Sequence, residues 1–158
     1  MEEELVKYLI EKKLTITTAE SCTGGMISST IVNVPGASWV LNEAYVTYAN
    51  EAKEKLVGVK HSTLEEFGAV SEETAYEMVR GAADSAGADL AIAVTGIAGP
   101  DGGTPDKPVG TVYAGYYVKG KIIVERYNFD GGRYEVRKAT TDTTIKRLYE
   151  LLLDFETV

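Results

Sequence analysis

The stretch Thr17-Thr18-Ala19-Glu20-Ser21-Cys22-Thr23-Gly24-Gly25 decides how the chain folds. It continues the alternating run 14–18, which predicts a strand, and it precedes the run 26–32, which predicts a helix. A tight strand-to-helix turn exposes a short side chain at the carboxyl edge of a sheet. It also directs backbone N–H groups and the positive end of a helix dipole at the space above. We therefore expect a site for a substrate that carries or develops negative charge, with Ser21 in the position of a nucleophile.

The composition is that of a folded protein with one core. The chain has 158 residues, of which 44% are hydrophobic and 25% charged, enough for a single domain over residues 1–158 but not for two. The acidic start, Met1-Glu2-Glu3-Glu4, argues against a signal peptide, and no apolar run reaches the length of a membrane span. One cysteine excludes internal disulfides and fits a reducing cytoplasm, where we expect the protein.

The charge and the residue counts restrict the partners that we expect. A formal net charge of −8 disfavours nucleic acid, but it does not forbid a small anionic substrate, because a local helix end can outweigh a distant field. One histidine and one cysteine cannot form a structural zinc site. We therefore predict a small-molecule substrate, and no metal, no cofactor, no nucleic acid and no membrane as a partner.

Helical and strand patterns alternate along the rest of the chain. They predict a three-layer α/β/α sandwich with a mixed, mostly parallel sheet of about five strands. The predicted elements after the first strand and helix are a strand at 44–48, a short helix at 50–56, a helix that Ser71 caps, a strand at 90–95 buried on both faces, a hairpin at 109–118 and 121–129, and a last helix after Gly131-Gly132. A first helix precedes them, with Leu5, Val6, Leu9 and Ile10 on its inner face, and residues 61–64 read as a loop.

Three predicted strand ends carry residues that could do chemistry: Glu20-Ser21-Cys22, the stretch 48–53, and Thr95-Gly96. Each signal is weak alone, but in such sheets ligands bind beyond the carboxyl ends of the strands, so the three converge on one edge. A serine needs a base, and Lys53 is better placed than the single histidine. A lysine acts as a base only if burial or nearby positive charge lowers its pKa. Tyr48 could relay a proton or orient Lys53.

Cys22 is an alternative nucleophile. Glu20, Cys22 and Lys53 are the residue types of a carboxylate–cysteine–lysine amidase, and a helix N-terminus lowers the pKa of a thiol. Neighbouring residues in an extended turn point in opposite directions, so Ser21 and Cys22 cannot both face the pocket. In either case the backbone N–H groups of residues 22–25 would bind the oxyanion. These residues alone leave the choice open.

Five motifs that occur in order over essentially the whole chain resemble the CinA C-terminal domain family. The family includes nicotinamide mononucleotide deamidases. The motifs are Ala19-Glu20-Ser21-Cys22-Thr23-Gly24-Gly25, Val46-Thr47-Tyr48-Ala49-Asn50-Glu51-Ala52-Lys53, Gly68-Ala69-Val70-Ser71, Thr95-Gly96-Ile97-Ala98-Gly99-Pro100-Asp101-Gly102-Gly103 and Lys107-Pro108-Val109-Gly110-Thr111-Val112.

The resemblance implies an activity and a set of site residues. It implies an α/β/α homo-oligomer, a dimer or higher, that converts nicotinamide mononucleotide, a pyridine nucleotide, to nicotinate mononucleotide and ammonia without a metal. The family's serine–lysine dyad matches Ser21 and Lys53, which favours Ser21 over Cys22. The residues that we expect to line the pocket or contact the substrate are Tyr48, Thr95, Glu20, Cys22, Thr23, Gly24 and Gly25, together with Gly96, Ile97, Gly99 and Gly102 of the loop 96–103.

One motif departs from the family pattern. The family commonly has Gly-Asp-Arg before its last helix, whereas this chain has Gly131-Gly132-Arg133. Arg133 remains, and Arg137 follows one helical turn later, so both could meet a phosphate. A second hypothesis keeps the same pocket in a non-catalytic nucleotide-binding or regulatory module.

Overall fold

The computed structural model describes residues 1–156, which form six α-helices and five strands. None of the helices in this range combines the length and the apolar character that crossing a membrane requires. The helices are α1 (Glu2–Lys12), α2 (Met26–Val32), α3 (Asn50–Val57), α4 (His61–Phe67), α5 (Glu72–Ala86) and α6 (Arg133–Glu156); the strands are β1 (Ile16–Glu20), β2 (Tyr45–Val46), β3 (Leu90–Gly96), β4 (Thr111–Val118) and β5 (Lys121–Asn128).

The five strands form one sheet in the order β2-β1-β3-β4-β5. Strand β1 pairs in parallel with β2 and β3, whereas β4 pairs antiparallel with β3 and β5. Four strands therefore run in one direction and β4 runs against them, which confirms the mixed sheet. The carboxyl ends of β1, β2 and β3 lie at the same edge, where the sequence places its candidate residues.

Helices cover both faces of the sheet. One core cluster joins side chains of α1, α2 and α6 to Leu90, Ile92 and Val94 of β3. The other joins α3, α4 and α5 to the alternate residues Ala91 and Ala93. This alternation explains why β3 reads as a continuous apolar run, because each face of the strand is buried against a helical layer. The predicted three-layer α/β/α sandwich is confirmed.

Two local predictions were wrong. Residues 61–64 do not form a loop but begin helix α4, and the cause is not local: Glu77 of α5 accepts hydrogen bonds from the Lys60 N–H (2.9 Å) and from Thr63 Oγ1 (2.6 Å). These bonds hold the start of α4. Ile10 was expected on the buried face of α1 but is 38% exposed, because it lies at the edge of the stripe. By contrast Ser71 caps α5 as predicted, accepting a hydrogen bond from the Thr74 N–H.

Candidate active site

The turn after β1 and the first turn of α3 bring Ser21 and Lys53 together. The Ser21 N–H donates to the carbonyl of Val94, so the turn starts on the edge of the sheet. Helix α3 begins at Asn50, a few residues after β2, and this places Lys53 over the same edge. Lys53 Nζ lies 3.0 Å from Ser21 Oγ. The two side chains are thus in hydrogen-bond contact, although 32 positions separate them in the chain.

Lys53 is buried in an environment without a carboxylate partner. Only 1% of the residue is exposed, and its Nζ also lies 2.9 Å from the carbonyl of Thr47 and 3.2 Å from that of Tyr48. None of the ion pairs between residues 1 and 156 includes Lys53. Burial lowers the pKa of Lys53, against a smaller opposing effect of Cys22. A neutral amine would donate to the two carbonyls and keep its lone pair for the Ser21 hydroxyl.

Cys22 lies beside Ser21 but in a different electrostatic setting. The residue is only 6% exposed, and burial raises the pKa of its thiol to about 11. A thiol with that pKa is protonated near neutral pH and is a weak nucleophile. The pKa of the Cys22 thiol is therefore not lowered by the N-terminus of α2, as the sequence suggested it would be. Lys53 Nζ forms its side-chain hydrogen bond with the hydroxyl of Ser21. The geometry therefore favours Ser21 over Cys22.

A cavity of about 310 Å³ opens at this edge of the sheet. Most of the residues predicted for the site line it: Ser21, Cys22, Tyr48, Lys53, Thr95, Gly96, Ile97, Gly99, Gly102 and Arg133. Sequence reasoning did not single out Asn50, Ala69, Val70, Ala98 and Asp101, which also line it. A signal existed for all five, since each lies inside one of the quoted motifs.

The glycine loop forms one wall and is held in place by close packing. Gly99 has φ +86°, and a Cβ there would lie 2.5 Å from Val109 Cγ1, so no other residue fits without a shift. Lys107 Nζ donates to the carbonyl of Val70 across the cavity wall, and Thr95 Oγ1 donates to that of Ala69 (2.8 Å). The loop 96–103 therefore packs against Val109, and residues on either side of it bond to the segment that precedes α5.

Tyr48 and Arg133 meet at the mouth of the cavity. The Arg133 guanidinium donates through Nη1 to the carbonyl of Gly99 and through Nη2 to the hydroxyl of Tyr48, each at 2.8 Å. The Tyr48 side chain is largely exposed, and its contact with Lys53 is made by the backbone carbonyl. Tyr48 therefore orients Lys53 through its backbone, while its hydroxyl bonds to Arg133 rather than to the amine.

Glu20 does not line the cavity; its carboxylate bonds to the turn and to the start of α2. Its carboxylate is fully buried and accepts hydrogen bonds from Thr18 Oγ1, Thr23 Oγ1 and the N–H groups of Ile27 and Ser28, at 2.7 to 3.0 Å. The expectation that the α2 N-terminus faces a substrate is therefore wrong, because the chain's own carboxylate occupies it.

Four further predicted residues also lie outside the cavity lining: Thr23, Gly24, Gly25 and Arg137. The Gly24 N–H donates to the Ser21 carbonyl (3.1 Å) and so is not a free oxyanion donor. Arg137 does not join Arg133 in a phosphate site. Its Nε donates to the carbonyl of Cys22 and its Nη2 to that of Thr23, both at 2.9 Å.

Comparison with known proteins places this architecture in a family. A CinA-like protein of Kosmotoga olearia is 56% identical over 137 residues, which are 87% of this chain and 33% of that protein. The chain spans about a third of the length of the curated relatives it matches. A CinA superfamily protein from Escherichia coli has a crystal structure with a TM-score of 0.92 and 36% identity, covering 96% of this chain and 88% of that one.

A second crystal structure, of a competence/damage inducible protein from Agrobacterium tumefaciens, has a TM-score of 0.88 and 42% identity. The match covers 95% of this chain and 94% of that one. The family model of the CinA C-terminal domain matches residues 1–152. With motifs, sheet topology and relatives in agreement, the chain belongs to the CinA C-terminal domain family.

Proposed function

We propose that the chain is an amidohydrolase that converts nicotinamide mononucleotide to nicotinate mononucleotide and ammonia. The observation that carries the proposal is the 3.0 Å contact between Ser21 Oγ and Lys53 Nζ, in which the lysine is buried without a carboxylate partner. A nucleophile beside a base of lowered pKa is the arrangement that covalent amide hydrolysis requires. The motif resemblance is what supports a pyridine mononucleotide as the substrate.

Acylation begins with the neutral amine of Lys53. Ser21 Oγ attacks the carboxamide carbon as its proton passes to Lys53 Nζ, and the carbonyl oxygen becomes an oxyanion. The tetrahedral intermediate then collapses: the C–N bond breaks, Lys53 returns the proton to the leaving nitrogen, and ammonia departs. The product of this half-reaction is an ester between Ser21 Oγ and the carboxyl group of nicotinate mononucleotide.

Deacylation repeats the same steps with water. Lys53 removes a proton from a water molecule, whose oxygen attacks the ester carbon. When the second tetrahedral intermediate collapses, the bond between the carbonyl carbon and Ser21 Oγ breaks and the proton on Lys53 returns to the serine. Nicotinate mononucleotide leaves, and both residues regain their starting states.

The volume of the cavity and the cation at its mouth support a mononucleotide. A volume of about 310 Å³ lies at the small end of ligand pockets, which suits one nucleotide better than two. Arg133 supplies positive charge at the mouth, where the phosphate would lie once the carboxamide has reached Ser21. The glycine loop lets backbone approach the ligand closely.

Ammonia release from a panel of pyridine compounds tests the proposal. Nicotinamide mononucleotide should be hydrolysed faster than nicotinamide riboside, nicotinamide or the dinucleotide. Lys55→Met is a matched control for Lys53→Met, because Lys55 lies on the same helix but is exposed. The control should keep the wild-type rate and Lys53→Met should lose it. Hydrolysis of a different amide would keep the mechanism and reject the substrate.

One observation favours the non-catalytic nucleotide-binding module as a second candidate. The Lys53 amine has three acceptors around it, Ser21 Oγ and the carbonyls of Thr47 and Tyr48, which also matches the three protons of an ammonium ion. A permanently charged lysine would hold the pocket together without acting as a base. Saturable binding of the mononucleotide with no ammonia release would favour this candidate.

A further inference from the structure

Arg137 is a cation to which the proposed mechanism assigns no role. It lies on α6, one turn after Arg133, yet it is absent from the cavity lining. Its Nε and Nη2 instead donate to two successive carbonyls, those of Cys22 and Thr23, each at 2.9 Å. Both carbonyls belong to the turn that immediately follows the nucleophile.

These bonds belong to a network of hydrogen bonds that fixes the turn. The Gly24 N–H donates to the Ser21 carbonyl and the Met26 N–H to the Thr23 carbonyl, each at 3.1 Å. The Glu20 carboxylate holds the Thr23 hydroxyl from below. The carbonyl of Cys22 has only the guanidinium as its donor among residues 1–156. The orientation of the peptide between Cys22 and Thr23 therefore depends on Arg137.

The planarity of the peptide bond carries this constraint toward the site. In a trans peptide the N–H points opposite to the C=O, so a carbonyl held by Arg137 directs the Thr23 N–H away from the guanidinium. Arg137 lies outside the cavity lining whereas Ser21 and Cys22 are part of it.

We propose that Arg137 is a positioning residue for the Ser21 turn: it holds the carbonyls of Cys22 and Thr23 and so keeps Ser21 Oγ in contact with Lys53 Nζ. It acts through the backbone and does not bind the phosphate of the substrate. The inference rests on the proposed function for its substrate but not for its chemistry, because the turn would serve any acyl transfer at Ser21.

The first test separates positioning from phosphate binding by kinetics. In Arg137→Lys and Arg137→Gln, kcat for ammonia release should fall by about 10²-fold, since displacement of a catalytic group by about 1 Å has that effect. The loss should be equal for the mononucleotide and for nicotinamide riboside, which lacks the phosphate. A rise in KM confined to the mononucleotide, with kcat unchanged, would overturn the proposal and make Arg137 a phosphate ligand.

The second test does not depend on the natural substrate. A fluorophosphonate reacts with an activated serine: Ser21 Oγ bonds to phosphorus, the P–F bond breaks, fluoride leaves, and Lys53 takes the hydroxyl proton. Labelling of Ser21 should be slow in Arg137→Ala, should recover with added ethylguanidinium, and should not recover with ethylammonium, which lacks the two-pronged donor. Labelling at the wild-type rate in Arg137→Ala would contradict the proposal.

The controls distinguish failure of the proposal for Arg137 from failure of the proposed function. Lys138→Met removes an exposed cation of the same helix that is paired with Asp142, and it should label at the wild-type rate. If Ser21 of the wild type is labelled rapidly but the protein hydrolyses no pyridine nucleotide, the substrate assignment is wrong. The effect of Arg137 can then still be measured from the labelling rate. Thermal unfolding of Arg137→Lys identifies a variant that has lost its fold, and recovery with ethylguanidinium excludes that cause.

Discussion

Lys53 is the residue on which the chemistry depends, and its position is set by backbone. The carbonyls of Thr47 and Tyr48 hold the amine from two sides while Ser21 Oγ occupies a third. Carbonyls accept hydrogen bonds from an amine but, unlike a carboxylate, they carry no full charge that would stabilise the protonated form. Burial can therefore lower the pKa of Lys53 without an acidic neighbour to reverse the effect.

The pH dependence of turnover follows from the sign of that shift. The base is the neutral amine, and a pKa lowered from its ordinary 10.5 makes this form more abundant at a given pH. We expect kcat/KM to rise about tenfold per pH unit below the pKa of Lys53 and to level off above it, at a pH lower than 10.5. Ammonia release measured from pH 6 to pH 10 checks this. A rate that falls as pH rises through this range would contradict a lysine base.

The thiol of Cys22 gives a second prediction at the level of a residue. Because burial raises the pKa of Cys22 to about 11, the thiol is protonated at neutral pH and we expect it to take no part in the reaction. Cys22→Ala should keep kcat within about threefold of the wild type, the modest loss coming from slightly altered packing beside Ser21. If Cys22→Ala is inactive while Ser21→Ala turns over, the cysteine is the nucleophile.

At the level of elements, the site is made by loops that the sheet edge and its covering helices hold. The turn 21–25 is fixed by Glu20 beneath it and Arg137 beside it, and α3 presents Lys53. In the loop 96–103, Gly96 packs against the start of β4, and Gly99 and Gly103 pack against Val109 just before that strand. A rigid scaffold with a site on its loops is the usual arrangement in sheets of this kind.

The glycine loop permits a test by substitution. Gly99→Ala introduces a Cβ that would lie 2.5 Å from Val109 Cγ1 at a residue with φ +86°, so the loop must shift. We expect KM for the mononucleotide to rise about tenfold or more and the free energy of unfolding to fall by about 1–3 kcal/mol. Gly120→Ala is the matched control, with φ +92° but no atom within 4 Å, in the hairpin at the opposite sheet edge. It should lose some stability and keep its KM; equal KM values for both variants would exclude a role for the loop.

The sequence predicted these elements better than it predicted their side-chain contacts. Strand ends in a parallel arrangement meet at one edge by topology alone, so the approach of Ser21 and Lys53 followed from element order. The hydrogen-bond partners of Glu20 and Arg137 could not be predicted from the sequence, because a carboxylate or a guanidinium close to a predicted site suggests a contact with the ligand. Only the structure shows that Glu20 accepts hydrogen bonds from groups of the turn and of α2, and that Arg137 donates to carbonyls of the turn.

At the scale of the whole molecule, several large apolar side chains are exposed at the surface. Val46 is 51% and Tyr48 58% exposed, both beside the cavity, and Trp39 is 78% exposed. Neighbouring exposed apolar side chains, such as those of Val46 and Tyr48, commonly mark a contact with another chain. The resemblance implies an oligomer, and that expectation stays a prediction.

Light scattering on the purified protein tests the oligomer. We expect a mass at least twice that of one chain at micromolar concentration, because burial of these side chains stabilises association. Trp39 is the only tryptophan in the chain, so its fluorescence should shift to the red on dilution if the contact covers it. A mass equal to one chain across the whole concentration range would reject the homo-oligomer.

The net charge of −8 sets the conditions under which an anionic substrate can bind. A phosphate approaching the molecule meets an overall negative field, and the local charge of Arg133 must overcome it at the mouth of the cavity. Charges further away than about 10 Å are screened at 0.1 M salt, so the local cation governs binding under ordinary conditions.

Ammonia release by Ser21→Ala decides whether Ser21 is the nucleophile, with Ser29→Ala as the control because Ser29 is an exposed hydroxyl on the adjacent helix α2. With nicotinamide mononucleotide at saturation, Ser21→Ala should keep the wild-type unfolding temperature within a few degrees and lose at least about 10³-fold in kcat, since no other hydroxyl contacts Lys53 within residues 1–156. Ser29→Ala should match the wild type. Turnover by folded Ser21→Ala at the wild-type rate would contradict the account.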